Sequence, residues 1–420
     1  MNAEPDFYTQ RMADMGAKAR KAAASLARLP ASTRDAALRA AAAALRAATA
    51  AIITANAKDM AAFTGTAAFG DRLLLNEARV AAMARGLEEV ADLPDPLTRT
   101  LAEWTRPNGL KISRIAQPLG VLGMIYESRP NVGADAAAIA IKSGNSLLLR
   151  GGSESFHSAA AINAAITSGL SSAGLPANAV QIAPSTDRRF VAAMLAASGL
   201  IDLIIPRGGK GLVELVQREA RVPVLAHAEG LNHSYIHAAA DFAMARSVLA
   251  NAKMRRTGIC GATETLLLDA AIAPALLPLL VADLAALGCA FRADEAARAI
   301  CPELPAAGEA DFDTEWLDAV LSVRIVNGVD EALAHIARHG SEHTDAIITE
   351  DEAVAEYFLA NLASAVGIWN ASTQFCDGGE FGFGAEIGIA TGRIHARGPI
   401  GPEQLTTFRY VVRGTGQVRP

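Results

Sequence analysis

From about Tyr8 to Val90 the chain is rich in alanine, with Leu38, Leu45, Ile52 and Ile53 at helical spacing and few β-branched runs, a texture that predicts long helices. From Leu119 the pattern changes. Short apolar runs at 119–126, 146–150, 180–183 and 201–205 alternate with helix-length segments at 134–142, 155–169 and 188–198. Strands that are apolar on both faces and alternate with helices predict a parallel sheet covered on each side. After a break at 219–230, read as a hinge, the alternation resumes: helix 241–255, strand 264–268, helix 274–287, strand 321–326, helix 331–338 and strand 345–349. A second α/β unit therefore begins near His227. Ahead of the first sheet, 101–115 carries Pro107-Asn108-Gly109 between alternating residues, a hairpin pattern. The last 45 or so residues are rich in glycine and arginine and show no clear period.

Composition narrows the function classes. The 420 residues are 51% hydrophobic and 20% charged, enough apolar material for a large core in two or three domains. Lys plus Arg is 38 and Asp plus Glu is 44, a net charge of −6 with no basic half, which argues against nucleic acid as a partner. No apolar run approaches the roughly 18 residues of a membrane span, so a membrane partner is not expected. Residues 12–28 have the Ala, Lys and Arg content of a transit peptide, but Glu4, Asp6 and Asp14 point instead to the first helix of a cytoplasmic protein.

Open α/β sheets bind ligands beyond the carboxyl ends of their strands. Three such turns carry cations, and two of them glycines, in a setting suited to phosphate: Glu127-Ser128-Arg129-Pro130-Asn131, Arg150-Gly151-Gly152-Ser153-Glu154, and Pro206-Arg207-Gly208-Gly209-Lys210-Gly211. One turn of this kind is usually structural. Three on one edge of a sheet point to a phosphate-bearing ligand. Neither GxGxxG nor GxxxxGK occurs, so the ordinary dinucleotide fingerprint and the P-loop are both absent.

Of the four cysteines, Cys260 follows Lys253, Arg255 and Arg256 and sits between Gly258 and Gly261; nearby cations favour a thiolate, and the glycines leave room for a substrate. A buried cysteine is usually inert, and Cys289, Cys301 and Cys376 read as incidental. The spacings exclude a disulfide ladder or a thiolate zinc site. His233 with His237, and His335 with His339 before His343, recur at a spacing of four; without HExxH and with Gly340 ending the helix, no metal site is expected.

Taken together, these motifs resemble the gamma-glutamyl phosphate reductase family, also called the glutamate-5-semialdehyde dehydrogenases, of the aldehyde dehydrogenase superfamily. The resemblance covers nearly the whole chain. It is most specific at PLGVLGMIYESRPN (118–131), IPRGGKG (205–211), the segment 326–347 with His335, His339 and His343-Thr344-Asp345, and DGGEFGFGAE (377–386) continuing to RIHARGP (393–399). The 326–347 segment is similar to the family's signature and accounts for the histidine spacing without a metal.

The resemblance implies an α/β fold of aldehyde dehydrogenase type: two open α/β domains, a Rossmann-type cofactor sheet and a small β oligomerisation element. The domains would be 1–103 with 117–226 for the cofactor, 227–372 for catalysis, 104–116 with 400–420 for oligomerisation, and 373–399 as a crossover. It implies NADPH-dependent reduction of an acyl phosphate, L-glutamyl 5-phosphate, to the semialdehyde. Cys260 would form the thioester, with Arg129 or Asn131 and the Cys260 N–H as oxyanion donors, Arg129 standing where relatives place an oxyanion-binding Asn. Arg150, Ser153, Glu154, Gly208, Gly209 and Gly211 would meet the cofactor, with Arg207 and Lys210 as further cations at its adenosine end and Glu315 on the nicotinamide ribose. A homo-oligomer, and substrate channelled from glutamate 5-kinase, are the partners it implies.

Two departures stand out. The stretch before the cysteine is KMRRT (253–257) where the family has a sequence like KTQRP, and Ala226 stands where hydrolytic aldehyde dehydrogenases carry the glutamate that activates water, with Glu229 nearby as a substitute base. An acyl-phosphate reductase needs no such base. The rival readings are a CoA-acylating or hydrolytic aldehyde dehydrogenase of the same fold, and a scaffold that has lost catalysis.

Overall fold

The alanine-rich N-terminal stretch is helical: α1 (Phe7–Leu26), α2 (Ala31–Ala47), α3 (Thr49–Ala62), α4 (Ala67–Leu73) and α5 (Glu77–Asp92). Side-chain caps start several of these helices, as where Asp6 accepts from the Thr9 N–H and Asn76 from the Arg79 N–H. The computed structural model describes residues 6–127, 129–226 and 229–419; Ser128 of the first turn and His227 at the expected domain start lie outside them. Two units divide the chain, one made of Met1–Ala226, Gly382–Gly388 and Ile400–Pro420, the other of His227–Phe381 and Ile389–Pro399.

In the first unit β1 (Thr100–Thr105) and β2 (Lys111–Pro118) form the expected hairpin. There follow β3 (Val121–Tyr126), α6 (Val132–Lys142), β4 (Ser146–Arg150), α7 (Phe156–Ser172), β5 (Val180–Ile182), α8 (Arg188–Leu195), β6 (Leu203–Arg207) and α9 (Lys210–Glu219). The four strands β3 to β6 make a parallel sheet in the order β5-β4-β3-β6, so the chain reverses direction across the sheet between β3 and β6. That reversal is where ligands bind in open α/β sheets. Every residue of β3 and β4 is buried, as their apolar character requires. Met12, Met15 and Ala19 of α1 pack with Val121, Ile125 and Ile204 in one core. Truncating a buried side chain such as Ile204 to alanine would cost about 2–5 kcal/mol. The alanines let helices approach closely: a Cβ on Gly169 of α7 would lie 2.4 Å from the Ala41 Cα of α2.

Strand β6 differs from expectation. The apolar run 201–205 predicts a strand there, but β6 begins at Leu203 and runs on through Pro206 and Arg207, because Ile201 is taken by an isolated bridge to Ser198 and the ladder sets Arg207 opposite Tyr126. Pro206 is tolerated because β6 closes the edge of the sheet. The helix expected over 188–198 likewise stops at Leu195.

The second unit contains β7 (Asn232–Ile236), α10 (Phe242–Met254), β8 (Thr263–Asp269), α11 (Ala273–Ala286), β9 (Ala290–Ala293), α12 (Glu295–Ile300), α13 (Glu309–Phe312), β10 (Val320–Val326), α14 (Val329–His339), β11 (Thr344–Ile348), α15 (Glu352–Asn361) and β12 (Val366–Trp369). Its parallel sheet has the order β12-β11-β7-β8-β10-β9, and its edge strands β9 and β12 are not among the strands expected from the sequence. Alternation along β8 feeds two cores: Leu266 and Leu268 pack with Leu249, Leu276 and Leu280, and Leu267 with Ala332, Ile336 and Phe358. A short ribbon of β13 (Ile389–Ala390) and β14 (Gly398–Pro399) follows. The last strand, β15 (Thr406–Arg413), belongs to the first unit and pairs antiparallel with β2, giving the sheet β1-β2-β15. Among the described residues no single helix is long and apolar enough to cross a membrane.

Candidate active site

The three turns singled out in the sequence end β3, β4 and β6, neighbours in one parallel sheet, and so share its carboxyl edge. A cavity of about 880 Å³ opens there, within the range of small-molecule sites. Arg150, Ser153, Glu154 and Gly211 of the expected cofactor set line it, together with Tyr126, Thr186 and the apolar residues Val191, Leu195, Leu212 and Leu215. Arg150 is 8% exposed; its guanidinium donates to the Thr186 carbonyl at 2.7 Å, while its buried Nε has no partner among the described residues. Glutamate side chains pack closely over two of these glycines, that of Glu154 over Gly152 and that of Glu127 over Gly208.

The expected cations are partly redistributed. Arg207 is the last residue of β6, and it and Lys210 stand outside the wall of the cavity, where the positive charges are Arg150, Arg188 and Arg221. Arg188 follows β5 at the same carboxyl edge, so the strand-end rule applied to all four strands would have found it. Arg221 follows α9 and carries no such pattern. Gly208 and Gly209 precede α9, where the Gly209 N–H donates to Glu127 at 3.2 Å. In the first turn, the Arg129 N–H donates to the Glu127 carbonyl at 2.7 Å, and Asn131 Nδ2 donates to Asp135 at 3.1 Å. Burial pushes the Asp135 carboxyl up to about 6, against the pull of Asn131 and Arg207.

In the second unit Cys260 lies on the loop between α10 and β8 and is half-buried, whereas Cys289, Cys301 and Cys376 are buried. Burial pushes the Cys289 thiol up to about 11. The three cations ahead of Cys260 are not equivalent. Lys253 is fully buried against Glu264, with Nζ to Oε2 at 2.6 Å, so its charge is already matched; Arg255 and Arg256 are exposed on the loop. Burial pushes Glu264 up to about 7 while Lys253 opposes it. Because α10 ends ahead of the loop, the negative end of its dipole gives a thiolate no help.

Backbone contacts hold the Cys260 loop. Asn232 Nδ2 donates to the Cys260 carbonyl at 2.6 Å, and a Cβ on Gly230 would stand 2.2 Å from the same oxygen. Glu315, expected on the nicotinamide ribose, accepts the Gly230 N–H at 2.8 Å. The histidines serve packing. His335 lies between the rings of His233 at 5.4 Å and His339 at 4.5 Å, edge-on to Phe312 at 5.2 Å. His233 and His339 face Asp345 and Asp313 at 2.8 and 2.7 Å. Burial, then its neighbouring histidines, depress His335 far below the ordinary imidazole value. Among the described residues no group of three His, Cys, Asp or Glu is placed to hold a metal.

The aldehyde dehydrogenase family model matches residues 6–299. A gamma-glutamyl phosphate reductase of Acidiphilium cryptum (strain JF-5) is 74% identical over 403 residues, covering 96% of each chain, and that of Gluconobacter oxydans (strain 621H) is 71% identical over 96% of this chain and 94% of its own. The chain belongs to the gamma-glutamyl phosphate reductases of the aldehyde dehydrogenase family. The crystal structure of the Thermotoga maritima gamma-glutamyl phosphate reductase, 39% identical, superposes with a TM-score of 0.95 over 97% of this chain and all of that one.

As a gamma-glutamyl phosphate reductase family member, and so an aldehyde dehydrogenase, the protein uses a nicotinamide cofactor. The cavity of the first unit fits such a group: it has dinucleotide volume, three arginines in its wall, an apolar flank for a base and, on Arg150, a buried donor with no partner among the described residues.

Proposed function

We propose that the protein catalyses the NADPH-dependent reduction of L-glutamyl 5-phosphate to L-glutamate 5-semialdehyde and phosphate, the second step from glutamate to proline, through a thioester on Cys260. The observation that carries the reading is that Cys260 alone of the four cysteines reaches solvent, on a loop with Gly258 and Gly261, in a chain 74% identical to a named reductase. The Cys260 sulfur attacks the acyl carbon, the bond to the phosphate oxygen breaks, and phosphate leaves, taking the charge that the thiolate brought. The Cys260 N–H, with Arg129 or Asn131, stabilises the developing oxyanion. A bound dinucleotide would supply the hydride that reduces the Cys260 thioester to its thiohemiacetal anion. Cleavage of the C–S bond then releases the aldehyde and restores Cys260. Glu315 would hold the nicotinamide ribose, and Arg150, Ser153, Glu154, Arg188, Gly208, Gly209, Gly211 and Arg221 the rest of the dinucleotide, the arginines supplying the charge that a ribose 2′-phosphate requires.

We assign cofactor binding to 1–103 with 117–226, catalysis to 227–372, and oligomer formation to 104–116 with 400–420, with 373–399 as the crossover. Trp104, Phe408, Tyr410 and Val412 of the three-stranded sheet are exposed, which supports self-association there. The reaction would take place in the cytoplasm, on a labile acyl phosphate handed over by glutamate 5-kinase. The decisive test is to incubate the protein with glutamate 5-semialdehyde and NADP in the absence of phosphate and digest it for mass spectrometry. The peptide containing Cys260 should gain one glutamyl group; modification elsewhere, or none, would overturn the reading.

A further inference from the structure

The loop that carries Cys260 is irregular backbone between α10 and β8, and its carbonyls lack ladder partners. Buried Asn232 takes two of them, and buried Gln374 takes that of Arg256 together with carbonyls of the last turn of α10. Asn232, fully buried at the start of β7, donates from Nδ2 to the carbonyls of Cys260 at 2.6 Å and Ala262 at 3.0 Å, while its Oδ1 accepts the Thr344 N–H at 3.2 Å. The β7–β8 register slips between Asn232 and His233, so the side chain stands in for a missing backbone rung. Gln374, 5% exposed, donates from Nε2 to the carbonyls of Asn251 at 3.2 Å, Ala252 at 2.8 Å and Arg256 at 3.4 Å, and accepts from Arg255 at 3.3 Å. One amide ties down the carbonyls at the end of α10. The other ties down the peptide that leaves Cys260.

We propose that Asn232 and Gln374 are positioning residues for the reaction, which together fix the orientation of Cys260 by holding both ends of its loop. The inference rests on the reading of Cys260 as the nucleophile. The Asn232 hydrogen bond at 2.6 Å, and the approach of the Gly230 backbone so close that no Cβ would fit there, restrict the orientation of the Cys260–Gly261 peptide plane. A nucleophile misplaced by about 1 Å loses on the order of 100-fold in rate.

The test compares Asn232→Asp, Asn232→Ser and Gln374→Met with the parent enzyme and with Cys260→Ser. It reads kcat, the cofactor KM, the melting temperature, and the rate of iodoacetamide alkylation at Cys260 against pH, mapped by mass spectrometry. Asn232→Asp keeps the shape but loses the donor and adds negative charge at the Cys260 carbonyl. It should lower kcat and the alkylation rate roughly 10- to 100-fold and move half-maximal alkylation to higher pH, with the cofactor KM within a few-fold. Gln374→Met should lower kcat similarly without that pH displacement. If Asn232→Asp does not fold, Asn232→Ser and Gln374→Met read the same rates. Folded variants with parental kcat, alkylation rate and pH profile, at whatever melting temperature, overturn the proposal. Turnover by Cys260→Ser would instead remove the reading on which it rests.

Discussion

Glu315 accepts the backbone N–H of Gly230 at 2.8 Å, and Gly230 in turn lies so close to Cys260 that a Cβ would stand 2.2 Å from the Cys260 carbonyl oxygen. The acidic residue that the family resemblance sets on the nicotinamide ribose thus also fixes the strand entry behind the cysteine. Any side chain at 230 must push the Cys260 loop away. Gly230→Ala should therefore lower kcat by about 100-fold or more in protein that still shows a cooperative melt, measured by steady-state kinetics beside circular dichroism.

Cys260→Ser should abolish turnover yet bind NADPH with unchanged affinity by fluorescence titration, because the cavity suited to the dinucleotide belongs to the other unit. Cys289 is held as a neutral thiol by burial. Cys289→Ser and Cys376→Ser should leave kcat within a few-fold, and loss of activity in either would point to a nucleophile other than Cys260.

Cofactor choice should follow the arginines of the cavity. Arg188→Ala and Arg221→Ala should each reduce kcat/KM for NADPH about 10-fold, in line with the strength of charge-assisted phosphate contacts, and change that for NADH much less. Equal effects on both cofactors would show that these arginines meet something other than the 2′-phosphate.

Acid stability should depend in part on His335. Its imidazole, depressed far below the ordinary 6.5, stays neutral in the folded protein but takes up a proton on unfolding once the pH is below that value. The unfolded state then binds more protons, so stability is fully present above about pH 6.5 and falls as the pH drops, by up to about 1.4 kcal/mol per pH unit for one proton. His335→Gln should flatten the decline in urea midpoint between about pH 6.5 and pH 5; a slope identical to the parent would contradict the assignment.

Much of this organisation is legible in the sequence. The runs at 121–126 and 146–150 are strands because both faces are covered, which leaves no polar alternation to obscure them. The hairpin around Asn108-Gly109 declares itself through its turn. Strand β15 was harder to see: Phe408, Tyr410 and Val412 alternate along it, but its glycine-rich surroundings hide the period, and its partner β2 lies almost 300 residues earlier. The site shows the same division. Cys260 stands out by its neighbours in sequence, whereas the pairing of Lys253 with Glu264 depends on burial, and the clamp from Asn232 depends on a register slip between β7 and β8. Arg221 enters the cavity through the packing of the segment after α9, which no local pattern announces.

In the proposed reaction an acyl group on Cys260 exchanges with phosphate and not with water; the family resemblance sets Ala226 where hydrolytic relatives would carry their base. Loss of general-base assistance should suppress hydrolysis by about 10²- to 10⁴-fold. The direct measurement is the initial rate of NADP reduction by glutamate 5-semialdehyde as phosphate is varied down to zero. The rate should saturate with phosphate and fall to a trace without it, with no more than traces of glutamate formed. A rate without phosphate equal to that with it would mean that water, activated by Glu229 or another base, resolves the thioester, and would make the protein a hydrolytic dehydrogenase.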